Sequence, residues 1–153
     1  IPETFFTVWT NLFDQAKLKE KETLLIHGGA SGIGLTALSI ANKFGVKCYA
    51  TVGNDEKKEF IENQGLASCI NYNREDFEKR FKENNVRIDV ILDIVGGEYF
   101  QKITLGKPPF SSSVVFNISE TRLINSHSQV KLLNVLIFFQ FFRSSITDNL
   151  STF

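Results

Sequence analysis

The stretch LLIHGGASGIG, Leu24 to Gly34, decides the fold of this sequence. It begins as the apolar run of a buried strand and ends in the glycines Gly28, Gly29, Gly32 and Gly34, which are separated by small residues. Glycine lets a chain turn tightly and lets its backbone approach a ligand closely. A helical pattern follows from Gly32, so we predict a strand, a glycine turn and a helix within one βαβ unit, an arrangement that binds phosphate groups.

Three of these glycines, Gly29, Gly32 and Gly34, stand where a dinucleotide-binding turn needs them. In such a turn the phosphates meet free N–H groups and the positive end of the helix dipole. The spacing is G-A-S-G-I-G rather than a literal G-x-G-x-x-G. A phosphate-loop NTPase requires Lys and then Ser or Thr after the last glycine, but Leu35 and Thr36 stand there, so that class is excluded.

Strand and helix patterns alternate from Leu24 to about Leu105. This alternation indicates βαβ units with right-handed crossovers and a parallel sheet. The strands are continuously apolar, which indicates that helices cover both faces. We therefore predict an α/β fold, a doubly wound parallel sheet of the Rossmann type with helices on both faces, and a ligand at the carboxyl ends of the strands. The predicted strands are 23–28, 46–52, 66–72 and 88–97, and the predicted helices are 32–45, 55–65, 74–85 and 98–105.

The flanking segments extend this core. Residues 4–17 carry apolar side chains at helical spacing, and Pro2 suits a helix start. We divide the chain into an N-terminal helix within residues 1–22, a dinucleotide-binding core at 23–105 and a diverged part of the same domain at 106–153.

The pattern weakens in the last part of the chain. Residues 111–119 are a candidate fifth strand. The densely apolar segment 129–145 has three interpretations: a buried strand or helix of the same sheet, an oligomer interface, or an aggregation-prone tail. Its apolar stretch is too short to span a membrane.

Composition limits the class of protein. The 153 residues hold 17 basic and 17 acidic side chains, and this balance argues against a nucleic-acid partner. No apolar run reaches the length of a membrane span, and no secretory leader is evident. Cys48 and Cys69 lie in apolar segments and are predicted to be reduced, buried thiols of a cytoplasmic protein. The sequence contains no methionine, even at its start, so we expect a fragment of a longer chain.

The end of the second predicted strand bears on the choice of cofactor. It reads ATVGN, with Gly53 and Asn54 where an NAD site or a methyltransferase places an acid that binds ribose hydroxyls. Without that acid a 2′-phosphate is not repelled, and Lys57 can supply positive charge. NADPH is therefore favoured over NADH, although Lys57 can also be an ordinary exposed helix lysine. Asp55 and Gly65 are the predicted N-cap and stop of the helix that follows.

Two dehydrogenase superfamilies contain a glycine turn whose sequence is similar to GGASGIG. The short-chain type requires Tyr-x-x-x-Lys, and none of the tyrosines Tyr49, Tyr72 and Tyr99 has a lysine four residues later. The segments IPETFFTVWTNLFDQAKLKEKETLLIHGGASGIG, YATVGNDEKKEF, INYNREDF and IDVILDIVGG instead resemble, in order and spacing, the zinc-independent quinone oxidoreductase branch of the medium-chain dehydrogenase/reductase superfamily. The resemblance covers roughly residues 1–105.

This resemblance implies a domain that binds NADPH, from which hydride passes to a quinone or a similar conjugated carbonyl compound. Carried over by position, the turn Ser31–Gly34, including Ile33, would bind the pyrophosphate. Asn54 and Lys57 would hold the 2′-phosphate. Tyr72 would lie at the adenine–ribose end with its hydroxyl within reach of that phosphate, unless it is simply an aromatic residue at a sheet end.

The resemblance also assigns three further positions. Thr7 would approach the nicotinamide, the alternative being a threonine on an ordinary helix face. Residues Asp93 to Gly97 would form the loop at the switch point of the sheet. His27 matches the usual polar residue at the end of the first strand and is interpreted as structural, because no Cys, His and acid cluster has zinc-ligand spacing. A homodimer is a family expectation only.

The departures from the family leave two hypotheses open. The family's β-rich catalytic module is not in this sequence, and no glycine follows Gly106, where the family usually has further glycine turns. No catalytic residue is assigned, and the chain alone is expected to be inactive. The first hypothesis is the cofactor domain of an NADPH-dependent quinone oxidoreductase, and the second is a non-catalytic nucleotide-binding module or a degenerate remnant.

Overall fold

The computed structural model describes part of the chain. Its backbone covers residues 2–95, 114–117, 122–125 and 128–131, and its side chains cover residues 3–95. Within these residues the helices are α1 (Pro2–Trp9), α2 (Gly32–Lys43), α3 (Asp55–Asn63) and α4 (Phe77–Glu83), and a π-helix (Thr10–Gln15) continues α1. The strands are β1 (Thr23–His27), β2 (Lys47–Val52), β3 (Ser68–Asn71), β4 (Val90–Asp93), β5 (Val114–Asn117), β6 (Arg122–Asn125) and β7 (Ser128–Lys131).

The strands form one sheet in the order β3-β2-β1-β4-β5-β6-β7. β1 pairs in parallel with β2 on one side and β4 on the other, and β2–β3 and β4–β5 are also parallel. The chain therefore leaves β1 toward one edge and returns to its other side, which opens a crevice at the carboxyl ends of β1 and β4. The predicted doubly wound parallel sheet is confirmed.

Beyond the parallel strands, β5–β6 and β6–β7 are antiparallel. β5 lies inside the candidate fifth strand, whereas the sequence pattern did not predict β6. β7 takes up the start of the apolar segment 129–145, and the rest of that segment lies outside the described residues. So do the predicted helix 98–105 and Gly96, Gly97 and Gly106.

Helices lie on both faces of the sheet, as predicted. Leu24 and Ile26 pack with α1, α2 and α3, while Leu25, between them on β1, packs with Phe77 and Phe81 of α4 on the opposite face. Because successive side chains of a strand point to opposite faces, a strand covered on both sides must be apolar at every position.

The N-terminal helix differs from the continuous helix predicted for 4–17. It begins at Pro2 as expected, but the regular α-helix ends at Trp9 and a π-helix follows. Asn11 Nδ2 donates a 2.7 Å hydrogen bond to the Thr7 carbonyl, an acceptor that a regular helix gives to a backbone N–H. This hydrogen bond lies at the junction where the helical pitch changes, and apolar spacing does not reveal it.

Helix boundaries follow their capping residues, with two corrections. The N-cap of α3 is Asn54, whose side chain accepts from the Lys57 amide, whereas Asp55, the predicted cap, is the first helical residue. α4 begins after its cap Asp76 rather than at Arg74. The predicted stop at Gly65 is confirmed by a φ of 65°, because this left-handed conformation favours glycine.

The two cysteines are confirmed as buried free thiols. Burial raises the pKa of both Cys48 and Cys69 to about 12, so both stay protonated at neutral pH. They pack in the core between α2, α3 and the sheet.

Candidate cofactor-binding site

The turn between β1 and α2 needs glycine at three positions for three different reasons. Gly28 has a φ of 81°, a left-handed conformation. A Cβ at Gly29 would lie 2.5 Å from the Ala50 Cβ, because the turn packs directly on β2. A Cβ at Gly34 would lie 2.5 Å from the Gly28 carbonyl oxygen, because α2 leaves the turn in contact with its backbone. These three glycines therefore allow the compact, closed conformation of the turn.

Gly32 is the exception in this turn. A Cβ added there would meet nothing within 4 Å, so the protein leaves open space beside the first residue of α2. Gly32 is exposed and has helical backbone, and neither packing nor a left-handed conformation requires glycine at this position. A ligand that approaches the helix end closely would require it.

The N-terminus of α2 presents its amides at this open space. Ser31 is the N-cap, and its hydroxyl accepts from the Gly34 amide at 3.0 Å. Gly32 and Ile33 occupy the first two helical positions, whose N–H groups have no carbonyl partner within the helix. Among the described residues no hydrogen-bond acceptor is recorded for either amide. The helix dipole adds positive potential here, so the site fits the pyrophosphate of a dinucleotide.

The end of β1 is buried and uncharged at His27. Burial lowers the pKa of His27 to about 3, so the imidazole is neutral at physiological pH. Its Nδ1 lies 3.0 Å from the Thr51 Oγ1 of the neighbouring strand, and its ring meets Phe77 edge-on. This environment agrees with the structural role predicted for His27.

Asp93 ends β4 beside His27, which is its partner in the strand register. Its side chain is fully buried, and Oδ1 accepts from the Val95 amide at 3.0 Å. The carboxylate thereby fixes the start of the predicted switch-point loop. Gly96 and Gly97, the rest of that loop, lie outside the described residues.

Gly53 and Tyr72 meet where β2 and β3 end. A Cβ at Gly53 would lie 2.7 Å from the Tyr72 hydroxyl, so this ring occupies the place of a side chain at position 53. Asn73 Nδ2 also donates to the Gly53 carbonyl at 2.6 Å. Tyr72 remains 40% exposed, which leaves its ring accessible to a ligand.

Asn54 and Lys57 lie together at the start of α3. Asn54 Oδ1 accepts from the Lys57 amide at 2.9 Å, so this atom caps the helix and only the side-chain NH₂ is left for a phosphate. Lys57 is exposed, and within residues 3–95 no ion pair of its ammonium group is recorded. The structure therefore brings Asn54, Lys57 and Tyr72 to the same edge of the sheet.

Sequence reasoning missed part of this edge. Asp55, the first residue of α3, accepts from Asn71 Nδ2 at 2.6 Å and from Arg74 Nη1 at 2.7 Å. Asn71 and Arg74 lie at and just after the end of β3. This cluster could have been predicted, because the carboxyl ends of neighbouring parallel strands meet at one edge of the sheet and bring together the residues that end or follow β2 and β3.

Thr7 lies on α1, which precedes the glycine turn in the chain. It is half-buried on α1, which packs against α2. Its carbonyl accepts from Asn11, and none of the recorded hydrogen bonds joins its hydroxyl to the glycine turn. Its role at the nicotinamide stays a prediction.

The described part of the chain offers neither a metal cluster nor a membrane span. No group of three or more His, Cys, Asp and Glu side chains in it could hold a metal ion. None of its helices is both long enough and apolar enough to cross a bilayer.

Comparison with known proteins agrees with this geometry. Residues 32–105 match the family described as zinc-binding dehydrogenase. Polyketide synthase 37 of Dictyostelium discoideum is 31% identical over 107 residues, which are 67% of this chain and 4% of that protein. A highly reducing polyketide synthase of Didymella fabae is 27% identical over 124 residues, which are 78% of this chain and 7% of that protein.

Solved structures give the same result. Escherichia coli quinone oxidoreductase complexed with NADPH is 30% identical with a TM-score of 0.58, covering 65% of this chain and 31% of that chain. The CurK enoyl reductase is 30% identical with a TM-score of 0.66, covering 76% of this chain and 35% of that chain. The chain thus spans about a third of these structures and a small part of the synthases. Residues 32–105 resemble the nucleotide-binding domain of the medium-chain dehydrogenase/reductase superfamily, and the predicted resemblance to that superfamily's quinone oxidoreductases is confirmed.

Proposed function

We propose that this chain is the cofactor-binding domain of a zinc-independent, NADPH-dependent reductase that passes hydride to a quinone or another conjugated carbonyl compound. The observation that carries the proposal is the open space at Gly32, beside the Gly32 and Ile33 amides. The other three glycines close the turn tightly, whereas this one leaves the helix end accessible. A cytoplasmic location and a homodimer stay predictions.

Different groups of the described residues would bind different parts of the cofactor. The Gly32 and Ile33 amides would donate to the pyrophosphate, while Ser31 fixes the helix end. Gly29 lets the turn pack on β2, and Gly34 lets α2 contact the backbone of the turn. A neutral His27 under this turn adds no charge that would disturb it.

The edge formed by β2 and β3 would receive the adenosine half. Lys57 and the Asn54 amide would donate to the 2′-phosphate, and Tyr72 would lie beside the adenine ribose. The bound nicotinamide would supply the hydride, and the chain's own residues position it rather than react.

The names of the relatives suggest two acceptors. Quinone oxidoreductases and enoyl reductases both stand among the similar structures, and polyketide synthases among the similar sequences. A quinone and an enoyl compound share a carbon–carbon double bond conjugated to a carbonyl group, so one hydride donor serves either. The synthases among the relatives favour an enoyl thioester as the second candidate substrate.

A calorimetric titration of the chain with NADPH and with NADH tests the binding step. We expect NADPH to bind more tightly, because Lys57 adds a charge-assisted interaction with the 2′-phosphate. A folded chain that binds neither nucleotide would refute the proposal and support a remnant without binding activity.

The second hypothesis, a non-catalytic binding module, requires a different measurement. After binding has been shown, the chain is joined to the β-rich catalytic module of a quinone oxidoreductase, and NADPH oxidation by the joined protein is followed with a quinone and, separately, with an enoyl thioester. Oxidation that depends on the acceptor supports the reductase and identifies its substrate class, whereas tight binding without oxidation supports the binding module.

A further inference from the structure

An unpredicted ion pair lies beside the proposed 2′-phosphate site. Asp55 follows Asn54 at the start of α3, and both of its carboxylate oxygens are engaged. Oδ1 accepts from Asn71 Nδ2 at 2.6 Å, and Oδ2 accepts from Arg74 Nη1 at 2.7 Å. Asn71 is 3% exposed, so the carboxylate is held on one side by a buried amide.

Without a partner, the negative charge of Asp55 would weaken the binding of NADPH. An acid just beyond the second strand of this fold binds ribose hydroxyls and repels a 2′-phosphate. Asp55 stands only three residues after Val52, the last residue of β2, and beside the cap Asn54. Asn71 and Arg74 each engage one oxygen, which fixes the orientation of the carboxylate, and the guanidinium compensates its charge.

Arg74 also has donors left over. A guanidinium carries five N–H donors in a planar fork, and this ion pair uses the Nη1 end. The Arg74 side chain is 72% exposed, while its backbone is fixed by a 3.0 Å hydrogen bond from its amide to the Asn71 carbonyl. The other cations nearby are committed elsewhere, because Lys58 and Arg80 both pair with Glu75.

Resting on the proposed function, we propose that Arg74 is a further specificity-determining residue of this site. It masks the Asp55 carboxylate and donates to the 2′-phosphate of NADPH from the β3 side, opposite Lys57 on α3. An exposed ion pair contributes little to folding stability, so loss of the Arg74 side chain should leave the stability of the chain nearly unchanged.

The test is a titration of wild-type chain and of Arg74→Gln with NADPH and with NADH. Arg87→Gln is the matched control, because Arg87 is 73% exposed and pairs with Asp89 at 3.2 Å, but before the amino end of β4 rather than at the carboxyl edge. We expect Arg74→Gln to weaken NADPH about tenfold, the loss of one hydrogen bond to a charged group. NADH should bind equally well or better, and Arg87→Gln should change neither.

A second variant, Arg74→Lys, keeps the positive charge but lacks the planar set of guanidinium donors. We expect its NADPH affinity to lie between those of wild type and Arg74→Gln. Equal effects of Arg74→Gln on the two cofactors, or no effect on either, would overturn this inference while wild-type NADPH binding still supported the proposed function. A folded wild-type chain that binds neither cofactor would overturn both. An unchanged melting temperature in Arg74→Gln separates cofactor choice from a purely structural role.

Discussion

The substitution Gly32→Asp separates folding from cofactor binding at one position. Apart from its chain neighbours and the adjacent backbone of α2, nothing lies within 4 Å of a Cβ placed there, so the packing of the fold leaves room for the new side chain. Gly32 is the first residue of α2, where a carboxylate interacts favourably with the helix dipole by ~0.3–1 kcal/mol. Replacing a helical glycine by aspartate adds at most a few tenths of a kcal/mol, because aspartate is itself only a slightly better helix former than glycine. We therefore expect the variant to be as stable as wild type or slightly more stable.

Cofactor binding responds in the opposite direction. The carboxylate would occupy the open space in which the pyrophosphate is proposed to lie. Two like charges about 4 Å apart repel by about 4 kcal/mol at an effective dielectric constant of about 20. This corresponds to a loss of affinity of more than a hundredfold for NADPH and for NADH alike. The loss is the same for both because both carry the pyrophosphate.

Two assays on the same sample measure these effects. Urea unfolding gives the free energy of unfolding, and isothermal calorimetry gives the dissociation constants. Gly32→Asn is the matched control, since it has nearly the same volume without the charge, and it shows how much of the loss is steric. NADPH affinity of folded Gly32→Asp within threefold of wild type would refute the assignment of the phosphate site.

Three further changes test the site and its scaffold. Gly34→Ala places a methyl group 2.5 Å from a backbone oxygen, so we expect a loss of about 1–3 kcal/mol or more in the free energy of unfolding by urea, and an unchanged value would contradict the closed turn. Lys57→Glu should weaken NADPH by at least about tenfold and NADH little in calorimetry, and equal losses would remove Lys57 from the 2′-phosphate site. The folded pKa of His27, about 3, lies below its ordinary value of 6.5, so the unfolded chain takes up the proton first. The stability it contributes is complete above about pH 6.5 and falls as the pH drops toward 3, by roughly 2–3 kcal/mol between pH 7 and about pH 4.5. His27→Leu should remove that share of the pH dependence in urea unfolding measured across this range, whereas an identical slope in the variant would show that the imidazole is not the cause.

The parallel part of the fold could be predicted from local patterns. Continuous apolar strands such as Leu24–Ile26 report burial on both faces, and the glycines from Gly28 to Gly34 mark where the chain must turn. These signals are local because strand periodicity and glycine conformation depend on a few neighbouring residues. The antiparallel strands β6 and β7 have no such signal, since their pairing with β5 is set by long-range register.

The sequence by itself predicted a phosphate-binding turn, determined its place between β1 and α2, and showed that no acid stands at the end of β2. Only the tertiary structure distinguished the glycines, because contacts with Ala50 and with the turn's own backbone explain Gly29 and Gly34 but leave Gly32 open. Likewise, Asp55 has its charge compensated by Arg74, which lies 19 positions later in the numbering. The sequence shows which side chains are charged. Whether such a charge is exposed or paired depends on residues distant in the chain, which come into contact only when neighbouring strands end at the same edge of the sheet.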